Sequence, residues 1–162
     1  MLHVAPELML ENRFRKIPHL DYLSADLSNP RAMVRMDITD IRLPEHSFDV
    51  IYGSHVLEHV PDDRRAMREF RRVLKPGGWA LFIVPITAET TFEDPAASTP
   101  EKRLHLFGQA DHVRRYGPDF QQRLEEAGFV VTRIDAAKLV SPPEADRLGL
   151  GTGVLFFCRI AP

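Results

Sequence analysis

Two continuous apolar runs enclose a segment of helical periodicity near the middle of the chain. The runs, residues 48–52 and 79–86, are rich in strand-forming side chains, which is typical of parallel strands covered on both faces. Between them, residues 62–74 place apolar side chains at helical spacing and arginines on the other face, and so predict a helix. The sequence Pro76-Gly77-Gly78 predicts the turn that ends this helix, because proline cannot continue a helix and glycine accepts a positive φ. This order predicts a right-handed crossover unit of a parallel sheet.

The rest of the chain predicts five more strands and two more helices. The strands are expected at residues 1–5, 20–25, 32–36, 129–134 and 153–160. One helix is expected from Pro6 to about residue 16, with proline in its first turn, and another from Pro118 to Gly128. Seven strands with interleaved helices predict an α/β fold, a three-layer sandwich formed by a single domain over residues 1–162.

Two segments break the alternation of strands and helices. Residues 87–111 lack sustained periodicity and predict a long, partly structured insertion, and loops of this length are commonly lids or binding loops. Residues 141–143, with two consecutive prolines, predict another loop.

Composition and charge exclude several classes of partner. The 162 residues are 44% hydrophobic and carry a net charge of −2, so no global basic field indicates nucleic-acid binding. No apolar run approaches the roughly 20 residues that a membrane-spanning helix needs, and no membrane partner is expected. The single cysteine, Cys158, lies in a strand pattern, which predicts a buried thiol, no internal disulfide and a cytoplasmic location.

Candidate ligand-binding residues follow the predicted strands at their carboxyl ends. In open parallel sheets, ligands bind beside these ends, close to the switch in strand order. The first strand is followed by Ala5-Pro6-Glu7, and Asp26, Asp37 and Ser54-His55 follow the second, third and fourth strands. An acidic residue after a second strand can accept hydrogen bonds from a ribose diol. The sequence therefore predicts one crevice that takes a nucleoside, although solvated, turn-capping carboxylates are an open alternative.

The order of these features resembles one enzyme family along nearly the whole chain. The motifs are Asp-Ile-Thr-Asp from Asp37, Ser-Phe-Asp-Val-Ile from Ser47, His-Val-Leu-Glu-His-Val from His55 and Arg-Arg-Val-Leu-Lys-Pro-Gly-Gly from Arg71. The chain resembles class I S-adenosylmethionine (SAM)-dependent methyltransferases, and more narrowly the methyltransferase type 11 group of small-molecule enzymes. The resemblance implies a Rossmann-like, mostly parallel sheet of order 3-2-1-4-5-7-6 with strand seven antiparallel. It also implies SAM as the cofactor and a small-molecule methyl acceptor.

The resemblance also implies roles for individual residues. Asp26 would bind the SAM ribose, Asp37 the adenine amino group, and Ile38 would pack on the adenine face. The full set of implied cofactor-binding residues is Ala5, Pro6, Glu7, Asp26, Leu27, Asp37, Ile38, Ser54 and His55.

The start of the chain departs from the family's pattern. Where the family has an acidic residue and a glycine-rich turn, this chain has Ala5-Pro6-Glu7, and Pro6 lacks a backbone donor. Glu7 could instead bind the amino group of the methionine moiety. We expect SAM affinity below the family's norm, and a non-catalytic, methyltransferase-like binding or scaffold domain is an open alternative. Helices that family members carry before the first strand do not precede it here, so we expect an uncovered sheet face and a homodimer.

A rival motif lies within the same segment. His55, Glu58 and His59 match the His-x-x-Glu-His pattern of inverted zinc proteases, in which two histidines on one helical face bind zinc. The pattern is short, and Pro61 follows directly where a long amphipathic helix would be needed. We therefore expect no metal, and a zinc peptidase is a distant alternative.

Histidines are the candidates for acid–base chemistry. An acidic acceptor can need a base, and His55, His59 and His112 have the appropriate side chain. His112, Arg115 and Tyr116 follow the insertion and could bind an anionic or hydroxylated substrate. The alternative is that this segment only anchors the entry to the next helix.

Overall fold

The computed structural model describes residues 1–149 and 153–160 as an α/β fold. Its strands are β1 (Leu2–Val4), β2 (Leu23–Asp26), β3 (Val34–Arg35), β4 (Phe48–Ser54), β5 (Leu74–Ile83), β6 (Phe92–Glu93), β7 (Arg114–Arg115), β8 (Phe129–Asp135) and β9 (Val154–Ile160). Its α-helices are α1 (Leu8–Phe14), α2 (Asp63–Val73), α3 (Pro100–Phe107), α4 (Phe120–Glu126) and α5 (Pro142–Leu148). Short 3₁₀ turns occupy Leu57–His59 and Ala136–Lys138.

Seven of these strands form one sheet, in the order β3-β2-β1-β4-β5-β9-β8. The neighbours from β3 to β5 pair in parallel, and β9 runs antiparallel to both β5 and β8. The predicted order and the antiparallel last strand are confirmed, as is a first strand within a few residues of Met1. The two additional short strands, β6 and β7, pair with each other outside this sheet.

The main core lies between one face of the sheet and helices α2 and α4. Phe70 of α2 stacks on Phe82 of β5 at 5.2 Å, and Phe120 of α4 meets Phe156 of β9 edge-to-face at 4.8 Å between ring centroids. Cys158 is fully buried in this core, as predicted, and burial raises the pKa of its thiol.

The opposite face of the sheet is covered near β1 by helix α1. His3 points to this face, since side chains alternate along a strand, and its ring lies 5.4 Å from that of Phe14. Farther along the same face, Trp79 and Phe157 pack together at 5.6 Å, and Trp79 remains 37% exposed. Among the described residues, no helix is long and apolar enough to cross a membrane.

The bounds of several elements differ from the expectations. Helix α2 ends at Val73, before the proline, because Leu74 is already extended and pairs with Phe48. The expected turn at residues 76–78 lies within β5, beside a register shift, with Gly77 at a φ of 79°. Residues 142–148 form helix α5 instead of a loop, because prolines fit the first turn of a helix, where no amide donor is needed.

Candidate active site

A cavity of about 780 Å³ lies at the carboxyl ends of the parallel strands. Four loops that follow β1, β2, β3 and β4 contribute its walls. Six of the nine residues predicted to bind cofactor line it: Ala5, Asp26, Leu27, Asp37, Ile38 and His55. The topology of the sheet therefore brings these residues together.

Asp26 is held at the end of β2 by the turn that follows it. Its Oδ1 accepts hydrogen bonds from the backbone amides of Ser28, at 2.8 Å, and Asn29, at 2.7 Å. Among the described residues, no side chain or amide donates to Oδ2. One oxygen therefore fixes the carboxylate, and the other is free to accept from a ligand in the cavity.

Asp37, which follows β3, is held in the same way. Its Oδ1 accepts from the amide of Thr39 at 2.8 Å and from the Thr39 hydroxyl at 2.7 Å. These hydrogen bonds lower the pKa of Asp37 below its usual value, so the side chain is ionised at neutral pH. Ile38 beside it is 7% exposed and lends an apolar surface to the cavity.

Two residues of the cavity wall have left-handed backbone conformations without being glycine. Ala5 has a φ of 48° directly after β1, and His55 has a φ of 52° directly after β4. Such conformations cost free energy for residues with a Cβ and cluster at functional sites. The turn after β1 thus adopts a conformation that favours glycine, although the residue there is alanine.

Pro6, Glu7 and Ser54 do not line this cavity. The Glu7 carboxylate lies 2.8 Å from Nε2 of the fully buried His3, whose Nδ1 lies 2.8 Å from the Tyr22 hydroxyl. Burial raises the pKa of Tyr22 to about 12. Glu7 therefore contacts His3 at the second face of the sheet and lies outside the cavity.

Histidines from two distant segments meet at one wall of the cavity. His55 and His59 line it, and the ring of His112 lies 4.6 Å from that of His59 in an edge-to-face arrangement. His112 is 6% exposed, and burial, followed by the nearby His59, lowers its pKa. Glu58, in the turn between them, is 1% exposed.

Tyr116 and Arg115 lie away from the cavity. The Tyr116 ring is fully buried, and its hydroxyl donates to Asp63 at 2.7 Å and lies 3.2 Å from the Leu57 carbonyl oxygen. Arg115 donates to Thr87, on the neighbouring segment. Both contacts tie the end of the insertion to the body of the domain.

Arg114, which the sequence analysis did not identify, holds the segment of the cavity wall that carries His59 in place. Arg114 is 2% exposed and donates to the carbonyls of Leu57, Val60 and Pro61, and it also pairs with Glu93 and Asp63. The sequence around Arg114 shows no periodic pattern that would distinguish this buried arginine from an exposed one.

Other cavity residues could have been predicted from the topology of the sheet. Five immediately precede or follow a predicted cofactor-binding residue: Val4, Ser28, Met36, Thr39 and Val56. Val60, Pro61 and Asp62 directly follow His59, which the sequence already indicated. Asp111 is different, since it comes from the insertion, whose path the sequence pattern does not reveal.

The cavity fits an adenosyl cofactor by its size and by its groups. Its volume lies within the roughly 300–1,000 Å³ of small-molecule sites. It offers two fixed carboxylates for hydroxyl and amino donors and the apolar side chains of Leu27 and Ile38 for a flat ring. Asp26 and Asp37 would hold the ribose and the adenine, respectively.

Comparisons with known proteins agree with this geometry. A family model described as a methyltransferase domain matches residues 10–82. A probable SAM-dependent methyltransferase of Mycolicibacterium smegmatis is 35% identical over 124 residues, which cover 72% of this chain and 44% of that protein. Phosphoethanolamine N-methyltransferase 1 of Arabidopsis thaliana is 32% identical over 116 residues, which cover 69% of this chain and 22% of that protein. The chain thus spans less than half the length of these curated relatives.

Solved structures show the same fold. A putative methyltransferase from Bacillus halodurans matches with a TM-score of 0.63 and 18% identity, over 99% of this chain and 92% of that chain. The 1,6-didemethyltoxoflavin-N1-methyltransferase of Burkholderia thailandensis, solved with S-adenosylhomocysteine, matches with a TM-score of 0.64 and 16% identity, over 99% of this chain and 71% of that chain. The family model and these relatives show that residues 10–82 carry a methyltransferase domain of the type 11 group, whose named relatives are SAM-dependent, and the solved structures show the same α/β fold.

Proposed function

We propose that this protein transfers a methyl group from SAM to a small-molecule acceptor. The observation that carries the proposal is the pair of carboxylates, Asp26 and Asp37, each fixed by its own turn with one oxygen free in the same cavity. A ribose and an adenine present donors that such oxygens accept. Ile38 adds the apolar contact for the ring.

The protein's own contribution is binding, orientation and exclusion of water. SAM, when bound, supplies a methyl group already activated by the positively charged sulfur. Asp26 and Asp37 fix the nucleoside, so that only the remaining part of the cavity is open to the acceptor. Orientation of this kind can supply several kcal/mol of the barrier reduction, about 7–11 in the best cases.

His55 is the residue that we propose as the base. It lines the cavity from the end of β4, and its side chain is 60% exposed, so an acceptor can reach it. A histidine in this position can take the proton that an acidic nucleophile loses. We propose that His59 contacts the same acceptor, with His112 packed behind it, and that Arg115 and Tyr116 position this wall from a distance.

We base the proposed class of acceptor on the named relatives. One acts on phosphoethanolamine and a neighbour acts on 1,6-didemethyltoxoflavin, both small molecules. The net charge of −2 and the cavity volume of about 780 Å³ support a small acceptor over a nucleic acid. The single buried Cys158 supports a cytoplasmic location, since it forms no disulfide within the described residues.

Calorimetric titration of SAM and S-adenosylhomocysteine tests the proposal. The change Asp26→Ala should weaken binding by roughly 1–3 kcal/mol, because a charged hydrogen-bond acceptor is lost. Asp94→Ala is the matched control, since Asp94 caps a similar turn through the amide of Ala96 at 2.8 Å and does not line the cavity.

Two outcomes would overturn the assignment. Equal affinity of the wild type and a folded Asp26→Ala variant would remove Asp26 from the site. No binding of either ligand to the wild-type chain would favour the non-catalytic binding or scaffold domain, which the glycine-free turn at Ala5 keeps as the alternative.

A further inference from the structure

A buried carboxylate without a hydrogen-bond partner lies beside the cavity. Glu58 is 1% exposed, and neither of its carboxylate oxygens accepts a hydrogen bond from the described residues. Nδ1 of His55 lies 3.3 Å from Oε1 without making one. Burying a carboxylate in this way is costly unless a partner compensates its charge. No hydrogen bond from the described residues compensates the charge of Glu58. A cation bound at this position would compensate it.

Two imidazoles are in place beside this carboxylate. One ligand atom each of Glu58, His59 and His112 lie within 4.8 Å of one another. His112 comes from a distant segment, which is fixed there because the amide of Val113 donates to the Glu58 carbonyl at 2.9 Å. Arg114 reinforces the same contact through the Leu57 carbonyl at 2.7 Å. The cluster is thus a product of the fold and not of one local motif.

A neighbouring acidic residue supports one of the two rings. Nδ1 of His59 lies 3.3 Å from the Asp111 carbonyl oxygen and 3.3 Å from its carboxylate. Contacts of this kind orient metal-binding histidines and fix their tautomer. His59 and Asp111 also line the cavity, so the cluster borders the space in which we place the cofactor and acceptor.

We propose that Glu58, His59 and His112 form a binding site for a divalent transition metal ion, with Zn²⁺ as the ion that this ligand set suits. Two histidines and one glutamate are the ligands of a well-known type of zinc site that keeps a position open for water or substrate. The expectation of no metal rested on the short His55–His59 pattern and on Pro61 directly after it. The structure instead supplies His112 as the second histidine and a buried carboxylate whose charge the metal compensates.

Titration of the purified, tag-free chain with Zn²⁺ in competition with a chromophoric chelator tests the site. We expect one saturable site per chain, and Co²⁺ in its place should show visible absorption. Removing a direct ligand should weaken binding by more than the roughly 10–100-fold that loss of an outer-shell partner costs. Glu58→Gln, His59→Ala and His112→Ala should all show this loss, and circular dichroism checks that each variant is folded.

Two matched variants separate this proposal from others. His105→Ala changes an exposed histidine of α3 and should leave the affinity for Zn²⁺ unchanged. The zinc-protease pattern predicts that His55→Ala abolishes binding while His112→Ala does not, and our proposal predicts the reverse. The proposal would be overturned if the wild type showed no saturable binding, or if all three ligand variants bound Zn²⁺ as tightly as the wild type. Neither result depends on SAM, so the methyltransferase proposal stands or falls separately.

Discussion

At the scale of single residues, the left-handed conformation of Ala5 is the feature with the clearest energetic effect. Its φ of 48° brings Cβ close to the neighbouring backbone, at a cost of roughly 1–2 kcal/mol that glycine does not carry. We therefore expect Ala5→Gly to raise the free energy of unfolding by about 1 kcal/mol, as measured by urea denaturation.

A second alanine provides the control for this change. Ala66 lies inside helix α2, where glycine costs about 1 kcal/mol, so Ala66→Gly should lower stability. If Ala5→Gly lowered stability by a similar amount, the left-handed conformation at this turn would be contradicted.

Residues of the site were predictable where the topology of the sheet determines their position. Asp26 and Asp37 follow strands that the apolar pattern located, and parallel strands end at one edge of the sheet. The direction of Glu7 was not predictable, because it depends on His3, which is buried in the middle of an apolar strand. The order of residues along the chain does not reveal which partner a side chain contacts.

At the scale of elements, Arg114 of β7 connects the end of the insertion to the turn at residues 57–61. Arg114→Met keeps the length of the side chain but leaves three backbone carbonyls without this donor and removes the positive charge 3.7 Å from the buried Asp63. Removing one partner of a buried charge pair costs about 3–5 kcal/mol, and we expect urea denaturation to show a loss of that size.

The neighbouring arginine tests whether burial is the cause. Arg115 is partly exposed and contacts Thr87, so Arg115→Met should change stability by no more than the roughly 1 kcal/mol of surface contacts. Equal losses for both variants would show that the buried network has no special importance.

The bounds of the elements were less predictable than their order. The crossover unit and the strand order followed from apolar runs and the family resemblance, and both are confirmed. Strands β6 and β7 escaped prediction because each is two residues long and gains its stability from the other, across the insertion. For the same reason, the meeting of His112 with Glu58 could not be read from spacing along the chain.

At the scale of the whole molecule, the second face of the sheet supports the proposal of a homodimer. Trp79 and Phe157 form an apolar strip there, beyond the part of the face that α1 covers. Burial of apolar area contributes about 25 cal/mol per Å², so this strip would contribute favourably to the pairing that we propose. Light scattering should give twice the chain's mass, and Trp79→Arg should reduce it to the mass of one chain.

A matched change on another part of the surface serves as the control for the dimer. Met9 of α1 is 73% exposed, and Met9→Arg should leave the mass unchanged if the strip at Trp79 is the interface. A wild-type chain that stays monomeric at all concentrations would contradict the dimer but not the cofactor assignment.

The short central strand β1 has a consequence for how the protein opens. Within the seven-stranded sheet, β2 and β3 connect to the rest only through the three residues Leu2–Val4. We expect β1, β2 and β3 to open together, below the free energy of global unfolding, so that their amides exchange hydrogen faster than those of β5 and β9. Because Asp26 ends β2 and Asp37 follows β3, the opening of this unit would destroy the proposed cofactor site. S-adenosylhomocysteine at 100 times its dissociation constant should therefore slow exchange at the Leu23 and Met36 amides by about 100-fold.

Unchanged exchange at these amides under saturating ligand would mean that the sheet opens elsewhere.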